Sequence, residues 1–183
     1  MRGETCYTLR HRRYCTRKST DVRIDLFSIG HSNGDLGQLV ALLDMHQIAT
    51  VCDVRSVPYS KYTPQFNREA LAEALPALGI SYHWLGAALG GMPQDAGLRL
   101  PDGSADYEKI LALPGFDRAL GQLMAFGRRA PTAFMCGEAD YRGCHRHKLL
   151  TPALIRQGCA VAHIMADGRL EPGQIMPQQM SMF

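Results

Sequence analysis

Residues 135–147, Met-Cys-Gly-Glu-Ala-Asp-Tyr-Arg-Gly-Cys-His-Arg-His, hold two cysteines, two carboxylates, two arginines and two histidines. Several chemistries use these groups. A cysteine that opens a helix beside His145 and Arg146 would have its thiol pKa drawn from about 8.5 toward about 3.5–7.5. Cys144 stands at that place if the run after it is helical, with Glu138 or His31 as acid–base partner. Cys136 closes an apolar run and is the other candidate nucleophile. It reads equally well as a small buried apolar residue.

Cys136 to Arg142 also spells Cys-x5-Arg, the phosphate loop of cysteine phosphatases. Glu138 and Asp140 would then face an incoming dianion, and Gly143 stands where such a loop has a hydroxyl residue, so the match is poor. Cys136, Cys144 and His145, with His31, are zinc-type ligands. The Cys-x7-Cys-His spacing is not a common zinc signature, and the sequence calls for no other cofactor. The remaining chemistry is anion recognition. Arg55, Arg146 and helix-terminal N–H groups near His31, Ser32 and Asn33 could clamp a phosphate or carboxylate. Asp53 would steady one of the arginines, and Gly90 and Gly91 would let the backbone approach a ligand. Ser32 and Asn33 also fit plain helix caps, while Tyr59, Tyr62 and Phe66 fit either base stacking or packing.

Groups this far apart in sequence act together only if the fold gathers them. The chain alternates short apolar runs with amphipathic ones. Strands are expected at 25–32, 49–56, 80–85, 131–136 and 160–166. Helical stripes lie between them: Leu36, Leu39, Val40 and Leu43; Leu71, Leu75 and Leu78, stopped by Gly79; Phe116, Leu120, Leu123 and Met124; and the run 147–158. Residues 86–105 carry five glycines and two prolines and read as a long functional loop. Such alternation predicts an α/β protein: a three-layer, Rossmann-like fold around a mostly parallel sheet of about five strands. Ligand sites of these sheets form beyond the carboxyl ends of the strands. His31, Ser32 and Asn33 follow the first strand, and Asp53, Arg55 and Ser60 the second. Gly90 and Gly91 follow the third, and Cys136, Glu138, Cys144, His145 and Arg146 the fourth. All four groups are therefore expected on one rim.

The stretches Ser28–Asn33, Asp53–Asn67, Leu89–Gly91, Met135–Glu138 and Cys144–Arg146 resemble, in order and spacing, the family catalogued as domain of unknown function 488. The resemblance runs from about Leu26 to Gly168. It implies a Rossmann-like fold and a polar pocket shared by these motifs, and it implies no particular reaction. One departure stands out. Where the family's helix runs on after Cys-His-Arg, this chain has Thr151-Pro152, so the helix either kinks there or starts there.

Charge narrows the partners. Residues 1–20 carry six basic side chains against Glu4, a net of +5, while the whole chain is +3, so the remainder is −2. The body thus lacks the excess expected of a non-specific nucleic-acid binder, although the basic N-terminal segment could touch phosphates. No apolar run reaches the roughly 18 residues of a membrane span. Six cysteines in a core-rich chain of this length do not read as a disulfide framework, and a reduced, cytoplasmic protein is expected. Residues 1–22 and 169–183 are expected to be tails around a single domain at 23–168. The last five residues, Gln179-Met180-Ser181-Met182-Phe183, resemble the bacterial sliding-clamp-binding pentapeptide. Gln179, Met180, Met182 and Phe183 would supply its contacts. Two functional readings follow. One is a hydrolase or transferase with Cys/Glu/His chemistry on a phosphorylated, nucleotide or nucleic-acid substrate. The alternative is a non-catalytic binding module recruited to DNA-processing machinery.

Overall fold

The computed structural model describes residues 6–9, 12–15 and 24–175. Near the N-terminus, β1 (Cys6–Leu9) pairs antiparallel with β2 (Arg12–Cys15). The body is a six-stranded sheet built from β3 (Leu26–Gly30), β4 (Thr50–Asp53), β5 (Ser81–Trp84), β6 (Thr132–Cys136), β7 (Val161–Ile164) and β8 (Leu170–Pro172). Their order is β5-β4-β6-β3-β7-β8, parallel except for β8. The expected three-layer α/β architecture is therefore present, with one strand more than expected. β8 lies in the segment read from sequence as a tail. It is three residues long and pairs His163 with Glu171, a register with too little hydrophobic alternation to announce a strand.

Side chains of alternate parity enter two cores. Ile29, Val51, Ala133 and Met135 face α1 (Leu36–Met45) and α2 (Arg68–Ala77), where Leu39, Leu43, Leu71 and Leu75 are buried. Leu26, Cys52, Phe134 and Cys136 face the other layer: α3 (Gly86–Leu89), α4 (Tyr107–Leu111), α5 (Pro114–Arg129) and α6 (Thr151–Arg156). Leu78, expected on the α2 stripe, is instead the exposed C-cap of that helix, followed by Gly79 at φ +79°. The start of α1 is fixed by Asp35, whose carboxylate accepts from the Gln38 N–H at 2.8 Å while Gln38 returns a bond to the Asp35 N–H. Ser32 and Asn33 are not the caps. The expected loop 86–105 contains α3 and a short 3-10 turn at Ala96–Leu98.

β6 is inserted between β3 and β4, with Gly30 opposite Cys136 and Asp53 opposite Met135. The chain has left β3 in one direction and returned between two strands already laid down. The loops after β3 and β4 therefore part around the end of β6, the switch point at which open α/β sheets bind ligands. No helix among the described residues is long and apolar enough to cross a membrane.

Candidate active site

Cys136 is the last residue of β6, and Cys144 precedes the next helix, so seven residues of loop bring the second thiol back over the first. That helix answers the question posed by Pro152 in a third way. It starts at His145, widens into a π turn over Arg146–Leu150, and continues into α6 through Thr151 and Pro152. The Thr151 N–H donates to the Arg146 carbonyl, five residues back. Proline, having no N–H to donate, follows directly on this widened turn. The Cys144 carbonyl accepts from the N–H groups of His147 and Lys148, both at 3.1 Å, so Cys144 caps the helix as the thiol reading required.

The two sulfurs and His145 Nδ1 lie within 4.8 Å of one another. Nδ1 is 3.5 Å from Cys144 Sγ and 3.8 Å from Cys136 Sγ. Nε2 is 3.2 Å from the Val54 carbonyl, which accepts its proton and turns Nδ1 toward the thiols. The Arg146 N–H and Nε–H both point at Cys144 Sγ, at 3.5 and 3.4 Å. Arg146 is 1 % exposed. Its other donors reach Ser28 Oγ and the Glu138 carbonyl, and no carboxylate of a described residue pairs with it. A buried guanidinium without a counter-ion is costly. Among the described residues, the acidic group that Arg146 contacts directly is the Cys144 sulfur. Cys144 is held well below the ordinary thiol range, first by the proton of the Cys136 thiol and then by His145 and Arg146, against the opposing effect of burial. The Cys136 thiol is pushed up, because its proton is shared with Cys144 and because it is buried.

A second network sits beside this one. Asp53, fully buried, accepts from Arg55 Nε at 2.9 Å and Nη2 at 2.5 Å, and from the Tyr82 hydroxyl at 2.7 Å. Arg55 also donates to the Phe66 carbonyl at 2.8 Å and to His31 Nε2 at 2.9 Å. His31 Nδ1 faces the Ser32 carbonyl at 2.7 Å, and its ring stacks on Phe66. Burial, followed by the Arg55 charge, holds His31 at about 4, so it is a neutral acceptor at neutral pH.

A cavity of about 380 Å³ opens above the thiols, walled by Arg55, Ser56, Gly91, Tyr107, Glu138 and His145 among others. Of the groups expected on the rim, Cys136, Glu138, Cys144, His145, Arg55 and Gly91 meet there. Arg146 and Asp53 lie beneath it as buried supports. His31 and Ser32 line a separate hollow beside α1, and Asn33 is exposed. Ser60 is engaged elsewhere, its hydroxyl accepting from the N–H groups of Tyr62 and Thr63. The two glycines approach protein rather than ligand: a Cβ on Gly91 would run into the His145 ring, and one on Gly90 into Ser56. Arg142, the arginine of Cys-x5-Arg, points away and bonds Glu171 at 2.6 Å. Phe66 is fully buried under His31, whereas Tyr59 and Tyr62 are exposed. Of the basic N-terminal segment 1–20, residues 1–5, 10–11 and 16–20 lie outside the described residues, as do Gln179, Met180, Met182 and Phe183.

Sequence reasoning missed Tyr82, Ser28 and His163, which support the arginines, and Tyr107, which lines the cavity. Each stands alone within an ordinary strand or helix pattern. Only the sheet register brings Ser28 opposite His163.

The sequence profile of a family described as Domain of unknown function DUF488 matches residues 35–151. The match takes in the Asp53–Arg55, Gly90–Gly91 and Cys136–Arg146 groups and begins after His31. No curated protein and no solved structure matches the chain.

Proposed function

We propose that this chain, which belongs to the DUF488 family, is an enzyme that uses Cys144 as a thiolate nucleophile for covalent group transfer from a small substrate. The observation that carries this reading is the buried Arg146, paired with no carboxylate of a described residue and directed at Cys144 Sγ from the first turn of a helix. In the reaction the sulfur bonds to an electrophilic centre held in the cavity, and the bond to the leaving group breaks. Glu138, exposed at the cavity wall, protonates the leaving group, and its carboxylate then deprotonates the water that displaces the group from sulfur. His145 Nδ1 lies beside both thiols and can take up the proton that Cys144 sheds.

Substrate charge is a narrower matter. Arg55 and Arg146 direct their donors inward, and Glu138 stands at the mouth. Support for a phosphate dianion is therefore thinner than for a neutral or weakly charged electrophile. The test is pulse-labelling of the native protein with iodoacetamide at pH 5.5, read by peptide mass spectrometry. The expected result is label on Cys144 before Cys52, Cys136 or Cys159. A Cys144 that stays unlabelled until the pH reaches the ordinary thiol range would overturn the reading.

A second reading is favoured by one pair of distances. The His145 Nδ1 separations of 3.5 and 3.8 Å from the two sulfurs are close to the roughly 3.6 Å that tetrahedral zinc imposes between such ligands. Against it, Arg146 already places a positive charge on Cys144. Zinc bound one to one in protein purified without added metal, together with thiols that label only after chelation, would favour the metal.

A further inference from the structure

A second cavity, of about 500 Å³, adjoins the thiol cavity. The two share Ser56 and Met92, and the strip Gly90–Met92 forms the partition between them. That strip is held from both sides. The Met92 N–H donates to Ser56 Oγ at 2.9 Å, Gly90 lies tight against Ser56, and Gly91 lies tight against His145. The chemistry of the two chambers differs. No charged side chain among the described residues lines the second; its walls include Trp84, Leu98, Ile110, Leu113 and Phe116. Ile110 and Phe116 are nearly fully buried and form its floor, while the Met92 side chain is 74 % exposed at the boundary. A flexible thioether in that position can fold over an apolar guest.

We infer that the second cavity is the substrate's specificity pocket, and that it takes an aromatic-sized apolar group joined by a short linker to the electrophilic centre. This rests on the reading of Cys144 as nucleophile and adds a substrate class to it. One chamber presents thiols, an imidazole and a carboxylate, and the other presents hydrocarbon. A molecule that fills both is amphipathic, with its reactive end under Glu138 and its ring between Trp84, Leu98 and Phe116. Apolar pockets of this size bury most of a ligand's surface, and a few convergent polar groups then orient it. The loop 86–105 therefore has two tasks, closing the thiol cavity through Gly91 and roofing the apolar one through Met92 and Leu98.

Two electrophiles that differ in one arm test this on the full chain: iodoacetamide and N-benzyl iodoacetamide. In both, the Cys144 thiolate forms a sulfur–carbon bond and iodide leaves with the electron pair of the broken carbon–iodine bond. The readout is the ratio of the benzyl rate to the iodoacetamide rate at Cys144, divided by the same ratio for glutathione. The expected value is about tenfold or more, the gain from burying a benzyl group in an apolar site. Ala87→Trp, at an exposed alanine on the pocket wall, and Leu113→Glu each lower that ratio, with every variant referred to its own iodoacetamide rate. A ratio within about twofold of the glutathione value, or one that neither substitution moves, overturns the pocket assignment. If Cys144 fails to react with iodoacetamide itself, the nucleophile reading falls and the specificity pocket with it.

Discussion

The Nε of Arg146 lies 3.4 Å from the sulfur of Cys144, and the two are buried together with no carboxylate of a described residue between them. The relationship contributes to the ionisation of the site, after the Cys136 proton and His145: a guanidinium beside a thiol favours the thiolate. Replacing Arg146 with methionine keeps much of the volume and removes the charge. Iodoacetamide labelling of Cys144 at pH 6 should fall about tenfold or more, and its pH midpoint should move up. The variant should also lose about 1–3 kcal/mol of stability, because Ser28 Oγ and the Glu138 carbonyl lose a donor. A folded variant whose midpoint has not moved would show that something else ionises Cys144.

The proton on Cys136 is the first cause of the low Cys144 value. Cys136→Ala removes that donor and should move the labelling midpoint of Cys144 up, whereas Cys136→Ser keeps an O–H there and should restore part of the shift. Equal midpoints in the two variants would mean that the sulfur is acting only as bulk.

Which parts of this site could be read from the sequence follows from the range of the forces involved. The spacing of Leu39, Leu43, Leu71, Leu75, Phe116 and Leu120 marked the helices because helix burial repeats every three or four residues. The motif groups Asp53–Arg55, Gly90–Gly91 and Cys136–Arg146 could be placed on one rim because parallel strands end together. The direction in which each side chain is used was not legible. Arg55 and Arg146 looked like ligand clamps, but the end of β6 lies between the loops that carry His31 and Asp53, and the arginines bond across that gap. Gly90 and Gly91 looked like ligand contacts, but the ring they admit is His145. β8, the π turn before Pro152 and the Ser28–His163 pair depend on register between distant segments, on which local pattern has no hold.

Gly91 gives a direct test of the packing around His145. A Cβ there would come within 2.5 Å of His145 Cβ, so either the loop or the helix start must move. Gly91→Ala should cost about 1–3 kcal/mol, the range for overpacking, and should lower Cys144 labelling by displacing the imidazole. Urea denaturation and labelling of the same samples separate the two effects. Full stability with unchanged labelling would mean that the loop moves freely off the ring.

Acid stability should report the buried imidazole that joins the arginine network. His163 is fully buried; its Nδ1 is 2.9 Å from Ser28 Oγ and its Nε2 has no partner among the described residues. Burial, and next the Arg146 charge, lowers it from 6.5 to about 3, so the folded protein keeps it neutral. The unfolded chain binds a proton there below about pH 6.5 and the folded chain does not. The stability due to this difference is therefore complete above pH 6.5. It is lost as the pH falls toward 3, at about 1.4 kcal/mol per unit. His31, lowered to about 4, acts in the same direction. Urea midpoints at pH 7 and pH 5 should thus fall further in the native sequence than in His163→Phe, which has nothing to protonate at that position. Parallel losses in the two proteins would show that His163 takes up its proton in the fold, and the Arg146–Ser28–His163 chain would then have to carry a second positive charge.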